Sequence, residues 1–309
     1  MNSNGGGLHY VGHKKIDYKK WDLCVSNAGN SRVYAMSWHL DRTAEMWDAL
    51  ILGDYDFVMP LPIKRKWGIN YIYQPLFSQQ LGIFPAPSNE VAQLFYTKVV
   101  QIFRYSDVQL NSQNPVLSSK KAQFVQRSNF LLDLTKNYQD ISKAYSKNTK
   151  RNVSKSAKNQ LNYVAGLRME DYMDFKKNNL QATLSNEDFK RLKSVIANAQ
   201  YKGIGEISGV YNTSNRLCAA VYFCRWKERL IYMNAAASAE GKEAGAMFYL
   251  LDRFLRSSAG NNMLLDLEGS MIPGVARFYA GFGALPESYS QLKINRLPLP
   301  LKWIKQKMG

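Results

Sequence analysis

Residues 264–274 read LLDLEGSMIPG, and FYAGFG follows at residues 278–283. The apolar run at 263–267 predicts a buried strand that ends at Gly269. The preceding residues 246–257 predict a helix, because their apolar side chains recur at helical spacing on one side. Further back, three strand-like runs lie at 205–211, 217–226 and 229–235 and are followed by an expected loop at 236–245, and helices are predicted at 169–180 and 185–200.

The first half of the chain has the same succession of helix, three strands, loop, helix and strand. The predicted elements are a helix at 17–29, strands at 47–52, 57–63 and 70–73, a helix at 88–105 with Ser88 as N-cap, and strands at 108–110 and 124–134. Two structurally related α/β halves are the simplest account of this order. We expect them to meet in the basic stretch 138–159, itself a helix, and we expect the Gly-rich start of the chain to be flexible.

The charge of the chain bears on its partners. Its 309 residues carry 41 Lys and Arg against 24 Asp and Glu, a formal net charge of +17. This excess favours a nucleic acid, an anionic membrane or a phosphate-rich ligand, although a solvated basic surface has the same composition. A 46% apolar content excludes global disorder. Because we find no signal-peptide core and no run long enough to span a membrane, we expect a cytoplasmic protein.

Cysteine and histidine usage argues against redox or metal chemistry. The three cysteines, Cys24, Cys218 and Cys224, lie in apolar stretches, so we expect them to be reduced and structural. The three histidines all lie near the start of the chain, and we expect no metal site.

Three segments resemble a known family. The basic stretch KNTKRNVSKSAK at 147–158, followed by a predicted strand at 161–164, is similar to the Arg-rich segment between the domains of the Fem-type (FemABX) family. The stretches at 264–274 and 278–283 are similar to that family's late strand–Gly–loop and FKxxFG segment. YQPLFSQQLG at 73–82 lies where the family has an aromatic, proline-containing loop. The element order resembles the GNAT acyltransferase fold, of which the Fem type looks like a doubled version.

The resemblance implies an α/β (α+β) fold of two tandem GNAT-like domains, each with a mixed, mainly antiparallel sheet flanked by helices. The expected domains are residues 1–140 and 161–309, joined by a basic connecting helix at 141–160. The implied function is an N-acyltransferase that moves an acyl or aminoacyl group from acyl-CoA or aminoacyl-tRNA to an amine acceptor. The alternative is a catalytically inactive GNAT-like module that binds nucleic acid or another polyanion.

The resemblance leaves donor and acceptor open. Fem-type enzymes build peptidoglycan cross-bridges from aminoacyl-tRNA, and the net charge favours tRNA as the donor. The glycines of the loop at 239–246 allow acyl-CoA instead. Cell-wall members often have a long helical coiled-coil insertion, which this chain lacks, so we expect a smaller relative with a different acceptor.

Asp266 and Glu268 are the candidates for a general base. On a strand, residues two apart point to one face, and two adjacent carboxylates raise each other's pKa as a base requires. Alternatively, one of them pairs with an arginine such as Arg277 and fixes the loop. For the proton donor, the resemblance favours Tyr279, although the family often has lysine at that place.

The loop AEGKEAGA at 239–246 is the candidate donor site. GNAT enzymes that use acyl-CoA usually show Q/R-x-x-G-x-G/A here, and this loop has glycines at a different spacing. Gly241, Lys242 and Gly245 could still hold phosphate through free amides at a helix start, opposed by Glu240 and Glu243. An ordinary loop that caps a helix is equally consistent with the sequence.

Further candidates contact phosphate, the acceptor or the donor carbonyl. A basic stripe is predicted at i, i+4, i+7 and i+8 from Lys143, with Lys150, Arg151 and Lys155 as phosphate contacts; a solvated helix is the alternative. We expect the donor carbonyl to be polarised by a strand amide near residues 234–236. The predicted acceptor contacts are Gln74, Gln79 and Gln80, although a merely polar loop would have the same residues.

Overall fold

A computed structural model describes residues 6–179, 184–269 and 271–298 of the chain. The chain divides into two compact units. Residues 1–127 and 288–309 belong to the first unit, and residues 128–287 belong to the second. Each unit therefore has to be understood from the elements that pair within it.

The helices and strands follow one another along the whole chain. The first part contains β1 (Leu8–Val11), α1 (Tyr18–Asn27), α2 (Ser37–Thr43), β2 (Met46–Leu52), β3 (Phe57–Lys66), β4 (Ile69–Ile72), α3 (Asn89–Ile102), β5 (Tyr105–Gln109) and β6 (Gln123–Asp133). The second part contains α4 (Tyr138–Lys143), α5 (Lys147–Ala157), β7 (Asn162–Ala165), α6 (Met169–Asn178), α7 (Asn186–Tyr201), β8 (Gly205–Tyr211), β9 (Leu217–Trp226), β10 (Arg229–Ala237), α8 (Ala239–Glu243), α9 (Ala246–Ser258), β11 (Leu264–Asp266), α10 (Pro273–Gly281) and β12 (Leu285–Asn295).

Both units contain a mixed, mainly antiparallel sheet. In the first unit the strand order is β1-β2-β3-β4-β5-β12, and only β4 and β5 are parallel. In the second unit the order is β7-β8-β9-β10-β11-β6, and only β10 and β11 are parallel. From β1 in the first unit and from β7 in the second, a strand, two helices and three strands follow one another. Helix α3 then precedes the parallel strand β5, and helices α8 and α9 precede β11. The predicted sheet type and flanking helices are confirmed.

Side-chain caps set the starts of the helices. The Asp17 carboxylate accepts from two backbone amides at the start of α1, and Ser88 caps α3 as predicted, accepting from the Val91 amide at 3.3 Å. Ser185 and Asp188 form a reciprocal capping box at α7. These caps satisfy amides that a helix start would otherwise leave without partners.

The core of the second unit is built where α9 packs on the sheet. Phe223 of β9 stacks on Phe254 of α9 with ring centroids 3.8 Å apart. Leu250, Leu251 and Leu255 are fully buried on the same helix. This apolar face, predicted from helical periodicity, fixes α9 against β8 and β9.

Three predictions about local structure are wrong. Residues 8–11 are not a flexible start, because β1 pairs with β2 from Leu8↔Leu52 to Val11↔Ala49. The stretch 138–159 forms two helices rather than one, because α4 ends before Ser146 and α5 begins after it. Ser146 caps α5 and donates its backbone amide to the Gly281 carbonyl. The loop expected at 236–245 contains the end of β10 and the short helix α8.

The division into units differs from the expected domain limits. Residues 131–133 of β6 pair with β11, and α5 packs on α9, so both belong to the second unit. The last strand, β12, joins β5 from Tyr105↔Asn295 to Gln109↔Gln291 and belongs mostly to the first unit. Pairing between residues far apart in sequence therefore decides the division.

Within the described residues, no helix is long and apolar enough to cross a membrane. In the same part of the chain, no three His, Cys, Asp or Glu side chains are grouped so that they could hold a metal ion. Cys24, Cys218 and Cys224 are all free thiols.

His39 of α2 should make the stability of the first unit depend on pH. Its Nε2 donates to the Phe77 carbonyl at 3.0 Å, and burial, with a smaller contribution from Arg42, lowers its pKa to about 4. The unfolded chain binds this proton near pH 6.5, so stability is lost as pH falls from about 6.5 to about 4. The slope is at most about 1.4 kcal/mol per pH unit.

Urea unfolding at several pH values measures this slope. We expect His39→Gln to flatten it, whereas His9→Gln, at an exposed position of β1, should leave it as in the wild type. An unchanged slope in His39→Gln would contradict the assignment.

Candidate active site

In the sheet of the second unit, β10 and β11 stop pairing before β10 ends. The two parallel strands are in register only from Arg229↔Leu264 to Ile231↔Asp266, and β10 continues to Ala237. On its other side β10 stays paired with β9, but the register shifts between Tyr232 and Asn234. Bulges and strand ends release backbone groups from the ladder, so this is where a ligand can meet the backbone of β10.

Two side chains of α6 reach the segment just after the bulge. Tyr172 donates its hydroxyl to the Asn234 amide oxygen at 2.8 Å, and Lys176 donates from Nζ to the Ala235 carbonyl at 3.3 Å. Tyr172 and Lys176 lie one helical turn apart, so they share a face. Both are buried, at 0% and 4% exposure. Helix α6 thus fixes the part of β10 that we expect to face the donor carbonyl.

Three buried tyrosines surround the same part of the sheet. Tyr222 of β9 lies opposite Asn234 in the register, and its hydroxyl makes no hydrogen bond within the described part of the chain. The Tyr232 hydroxyl donates to the Met247 sulfur at 3.3 Å, and its ring meets that of Tyr279 edge-on with centroids 5.9 Å apart. Burial raises the pKa of all three phenols, which therefore stay protonated at neutral pH.

The charge of Glu268 acts on two of these phenols. After burial, its negative charge is a further cause of the raised pKa of Tyr279, and it also raises the pKa of Tyr222. The next residue, Gly269, lies so close to the Ser128 carbonyl that a Cβ atom would overlap it. This packing fixes the turn that holds Glu268 at the end of β11, so Glu268 and Tyr279 are predicted site residues that the structure brings together.

Asp266 has a different environment from the one expected. It is 2% exposed and accepts from the Arg229 guanidinium at 2.7 Å, while Glu287 lies 3.5 Å from the same guanidinium. Burial alone would lower the pKa of Arg229, and the charges of Asp266 and Glu287 outweigh it and raise that pKa. The arginine partner is therefore Arg229 rather than Arg277.

The expectation that Asp266 and Glu268 alternate on one strand face is wrong. Strand β11 ends at Asp266, and Glu268 has a left-handed backbone with φ of +50°. The Glu268 amide donates to the Asp266 carboxylate at 3.1 Å, which holds the turn. Asp266 is thus engaged in structure, whereas the charge of Glu268 acts on the buried phenols.

The predicted donor loop has packing reasons for its glycines. Gly241 of α8 lies so close to the Cys218 carbonyl that a Cβ atom would overlap it. Gly245 precedes α9 with φ of +70°, and its Cα faces Ser156 of α5, to which a Cβ would come within 3.2 Å. Lys242 is exposed between them.

The basic helix α5 has one buried and one exposed face. Thr149 and Ser156 point inward, whereas the predicted phosphate contacts lie on the exposed face: Lys150, Arg151 and Lys155. Lys143 is not on this stripe, because it belongs to α4; its carbonyl accepts from Lys150 Nζ at 2.9 Å.

The predicted acceptor residues lie in the first unit, and their side chains make hydrogen bonds within their loop and to neighbouring segments. The Gln74 amide donates to the Ser78 carbonyl at 2.6 Å, and its oxygen accepts from the Gln109 amide at 2.8 Å. Gln79 and Gln80 are buried and hydrogen-bonded to each other at 3.0 Å. These contacts hold the loop to β5.

Sequence reasoning missed Tyr172, Lys176 and Tyr222. A signal for Lys176 was present, because it lies at i+4 from Tyr172 and beside Phe175 on the apolar face of a predicted helix. A lysine on such a face is uncommon unless it is paired or functional. No local pattern distinguishes Tyr222 from the other tyrosines of the chain.

The fold is shared with several solved structures. FemX superposes with a TM-score of 0.62 at 11% identity, over 96% of this chain and 99% of that one. The C-terminal domain (DUF2156) of a protein named as a lysylphosphatidylglycerol synthetase from Agrobacterium fabrum gives 0.58 at 10%, over 94% of each chain. A GNAT-family acetyltransferase from Colwellia psychrerythraea gives 0.53 at 12%, over 93% of this chain and 99% of that one.

These likenesses confirm the predicted GNAT-like, Fem-type fold. No protein-family model and no curated protein matches the sequence. At identities near 10%, the likeness establishes the fold alone, so the chemistry has to be argued from the residues of this chain.

Asp266 should matter for stability. Asp266→Ala leaves the mostly buried Arg229 with only the more distant Glu287, so we expect a loss of about 3 kcal/mol, at the low end for a broken buried ion pair. The added substitution Arg229→Met should restore part of the loss, because it removes the unpaired charge.

Urea unfolding of the two variants measures both effects. Asp54→Ala is the control, since its partner Lys20 is exposed, and little change is expected there. A loss of less than about 1 kcal/mol in Asp266→Ala would show that the pair does not hold this strand end.

Proposed function

We propose that the protein is an N-acyltransferase that moves an acyl or aminoacyl group from acyl-CoA or aminoacyl-tRNA to an amine. The observation that carries the proposal is the divergence of β10 from β11 beside Glu268 and Tyr279, on a fold shared with FemX and a GNAT-family acetyltransferase. A base, a proton donor and available backbone amides are what acyl transfer to an amine needs.

In the proposed step, the amine nitrogen attacks the acyl carbonyl carbon and gives a proton to the Glu268 carboxylate. Backbone amides at residues 234–236 polarise the carbonyl oxygen. The bond from the carbonyl carbon to the leaving sulfur or oxygen then breaks, and the Tyr279 hydroxyl protonates the leaving atom. Burial raises the pKa of Tyr279, so the phenol holds its proton at neutral pH and gives it up only as negative charge develops on the leaving atom.

The phosphate-bearing part of the donor is assigned to the α8–α9 junction and to α5. Gly241, Lys242 and Gly245 form the junction, and the exposed side chains of Lys150, Arg151 and Lys155 supply positive charge. Such charges suit the pyrophosphate of acyl-CoA and the backbone of tRNA alike. Experiment therefore has to distinguish acyl-CoA from the much larger aminoacyl-tRNA as the donor.

Removal of the proposed base should slow acyl transfer strongly. We expect Glu268→Gln to lower the rate by about 10²- to 10⁴-fold, since the amide has nearly the same shape and cannot accept the proton. The readout is release of free CoA from acetyl-CoA in the presence of a panel of amines, and release of label from aminoacyl-tRNA with the same amines.

Glu228→Gln is the matched control, because Glu228 is exposed in the turn between β9 and β10. A rate for Glu268→Gln close to that of the wild type would contradict the proposed base. Absence of transfer from both donors in the wild type would contradict the proposed function.

A polyanion should bind along α5. We expect the affinity for total tRNA to fall with salt, and Lys150→Ala and Arg151→Ala each to reduce the slope of log affinity against log salt by about one. Lys193→Ala, at an exposed position of α7, is the control and should leave the slope unchanged.

This measurement also bears on the alternative function. Binding of tRNA with an α5-dependent slope, together with absence of acyl transfer, would favour a non-catalytic polyanion-binding module. Equal slopes in all three variants would show that α5 makes no phosphate contacts.

A further inference from the structure

The buried charges of the second unit are compensated in all but one case. Asp266 is paired with Arg229, and Asp252 accepts from the hydroxyls of Tyr138 and Tyr145 at 2.6 and 3.2 Å. Lys176 is equally buried, at 4% exposure, and no carboxylate lies within 4 Å of its Nζ in the described ranges. The residues outside those ranges contain no Asp or Glu that could supply one.

The surroundings of Lys176 are polar without being acidic. Helix α6 packs against β10 and α7, and the one hydrogen bond from Nζ goes to the Ala235 carbonyl of β10. Burial lowers the pKa of Lys176 to about 8. An ammonium with a single neutral acceptor is costly to bury.

A second buried group beside it has no hydrogen-bond partner. Tyr222 is 1% exposed, and its hydroxyl has no partner at standard hydrogen-bond geometry in the described residues; after burial, a side-chain contact with the Cys224 thiol and the negative charge of Glu268 are further causes of its raised pKa. Register partners on adjacent strands point to the same face, so Tyr222 points the same way as Asn234, whose side chain meets Tyr172. Lys176 thus contacts Ala235, and Tyr222 lies opposite the preceding residue, Asn234, so both belong to one short segment of the sheet.

We propose that Lys176 and Tyr222, with Tyr172 at their side, form a subsite that binds an oxyanion attached to carbon. One ammonium and one neutral hydroxyl donor, that of Tyr222, match one negative charge, which a carboxylate carries, better than the two charges of a phosphate. The Tyr172 proton is already donated to the Asn234 side chain. The ligand would give Lys176 its missing counter-charge and Tyr222 its missing partner. This arrangement explains why Lys176 is buried without a counter-charge and Tyr222 without a well-aligned hydrogen bond in the described residues.

Two sources share this chemistry. One is a carboxylate on a substrate, and the other is the oxyanion that forms on the acyl carbon during transfer. The second source rests on the proposed function, because it requires the acyl carbonyl to lie against residues 234–236. A substrate carboxylate does not require it.

NMR titration of the lysine side chains in the full-length protein tests the subsite. The Lys176 signal is assigned by its absence in Lys176→Met. We expect it to titrate near pH 8 in sodium chloride and at least 0.5 pH unit higher in the same concentration of sodium acetate, since a bound carboxylate favours the ammonium. Tyr222→Phe should reduce this shift, and Lys177→Met, an exposed neighbour on α6, should not.

The thermal midpoint supplies an independent readout. Lys176→Met removes a buried charge that has no acidic partner, so we expect it to unfold at a temperature equal to or higher than the wild type. A titration of Lys176 that is identical in acetate and chloride would overturn the proposal. A lowered midpoint in Lys176→Met would also overturn it, because it would show that Lys176 serves the folded structure itself.

Kinetics with the active donor separates the two sources. In Lys176→Met, a KM for an acidic substrate above that of the wild type indicates that the subsite binds a substrate carboxylate. A lowered kcat at unchanged KM indicates that it binds the oxyanion of the transfer step. Acetate binding without any acyl transfer would support the subsite and contradict the proposed function. Acyl transfer without acetate binding would support the proposed function and contradict the subsite.

Discussion

The candidate site depends on the short parallel pairing of β10 with β11. Three register pairs hold the two strands together, and beyond Ile231 and Asp266 they separate. If the ladder continued, the backbone of residues 232–237 would be used up in hydrogen bonds to β11. Because it stops, a bulged strand, two catalytic candidates and the face of α6 surround one segment of backbone.

The end of the ladder is held by charge and by close packing. Arg229 lies in the first register pair of the two strands and Asp266 in the last, so their ion pair spans the short stretch over which β10 and β11 are in register. The close approach of Gly269 to Ser128 then turns the chain away. Two adjacent carboxylates consequently have separate roles: Asp266 holds the strands, and Glu268 faces the buried phenols.

The sequence predicts the elements whose signal is local. The strands predicted at 205–211 and 217–226 coincide with β8 and β9, and the helix predicted after Ser88 begins there. Strands β1 and β12 lack such a signal, because their stability comes from partners far along the chain: β1 pairs with β2, and β12 with β5. The resemblance to the GNAT-like, Fem-type fold was specific enough to give the architecture.

The candidate site was only partly accessible from sequence for the same reason. Glu268 and Tyr279 lie in one segment whose motif could be quoted, and the structure brings them together. The partner of Asp266 lies 37 residues away, and Lys176 meets β10 across 59 residues, so no spacing rule relates them. The glycines of the donor loop are consistent in sequence with either phosphate binding or close packing, and the packing is visible only in the structure.

Hydrogen–deuterium exchange of the backbone tests the central claim, that an acyl donor meets β10 where it leaves β11. Exchange in residues 232–237 is compared with and without acetyl-CoA, and with and without aminoacylated tRNA, with residues 46–52 of β2 as the internal control. The account predicts slower exchange at 232–237 with one of the two donors and no change in the control. Unchanged exchange at 232–237 with both donors would contradict it.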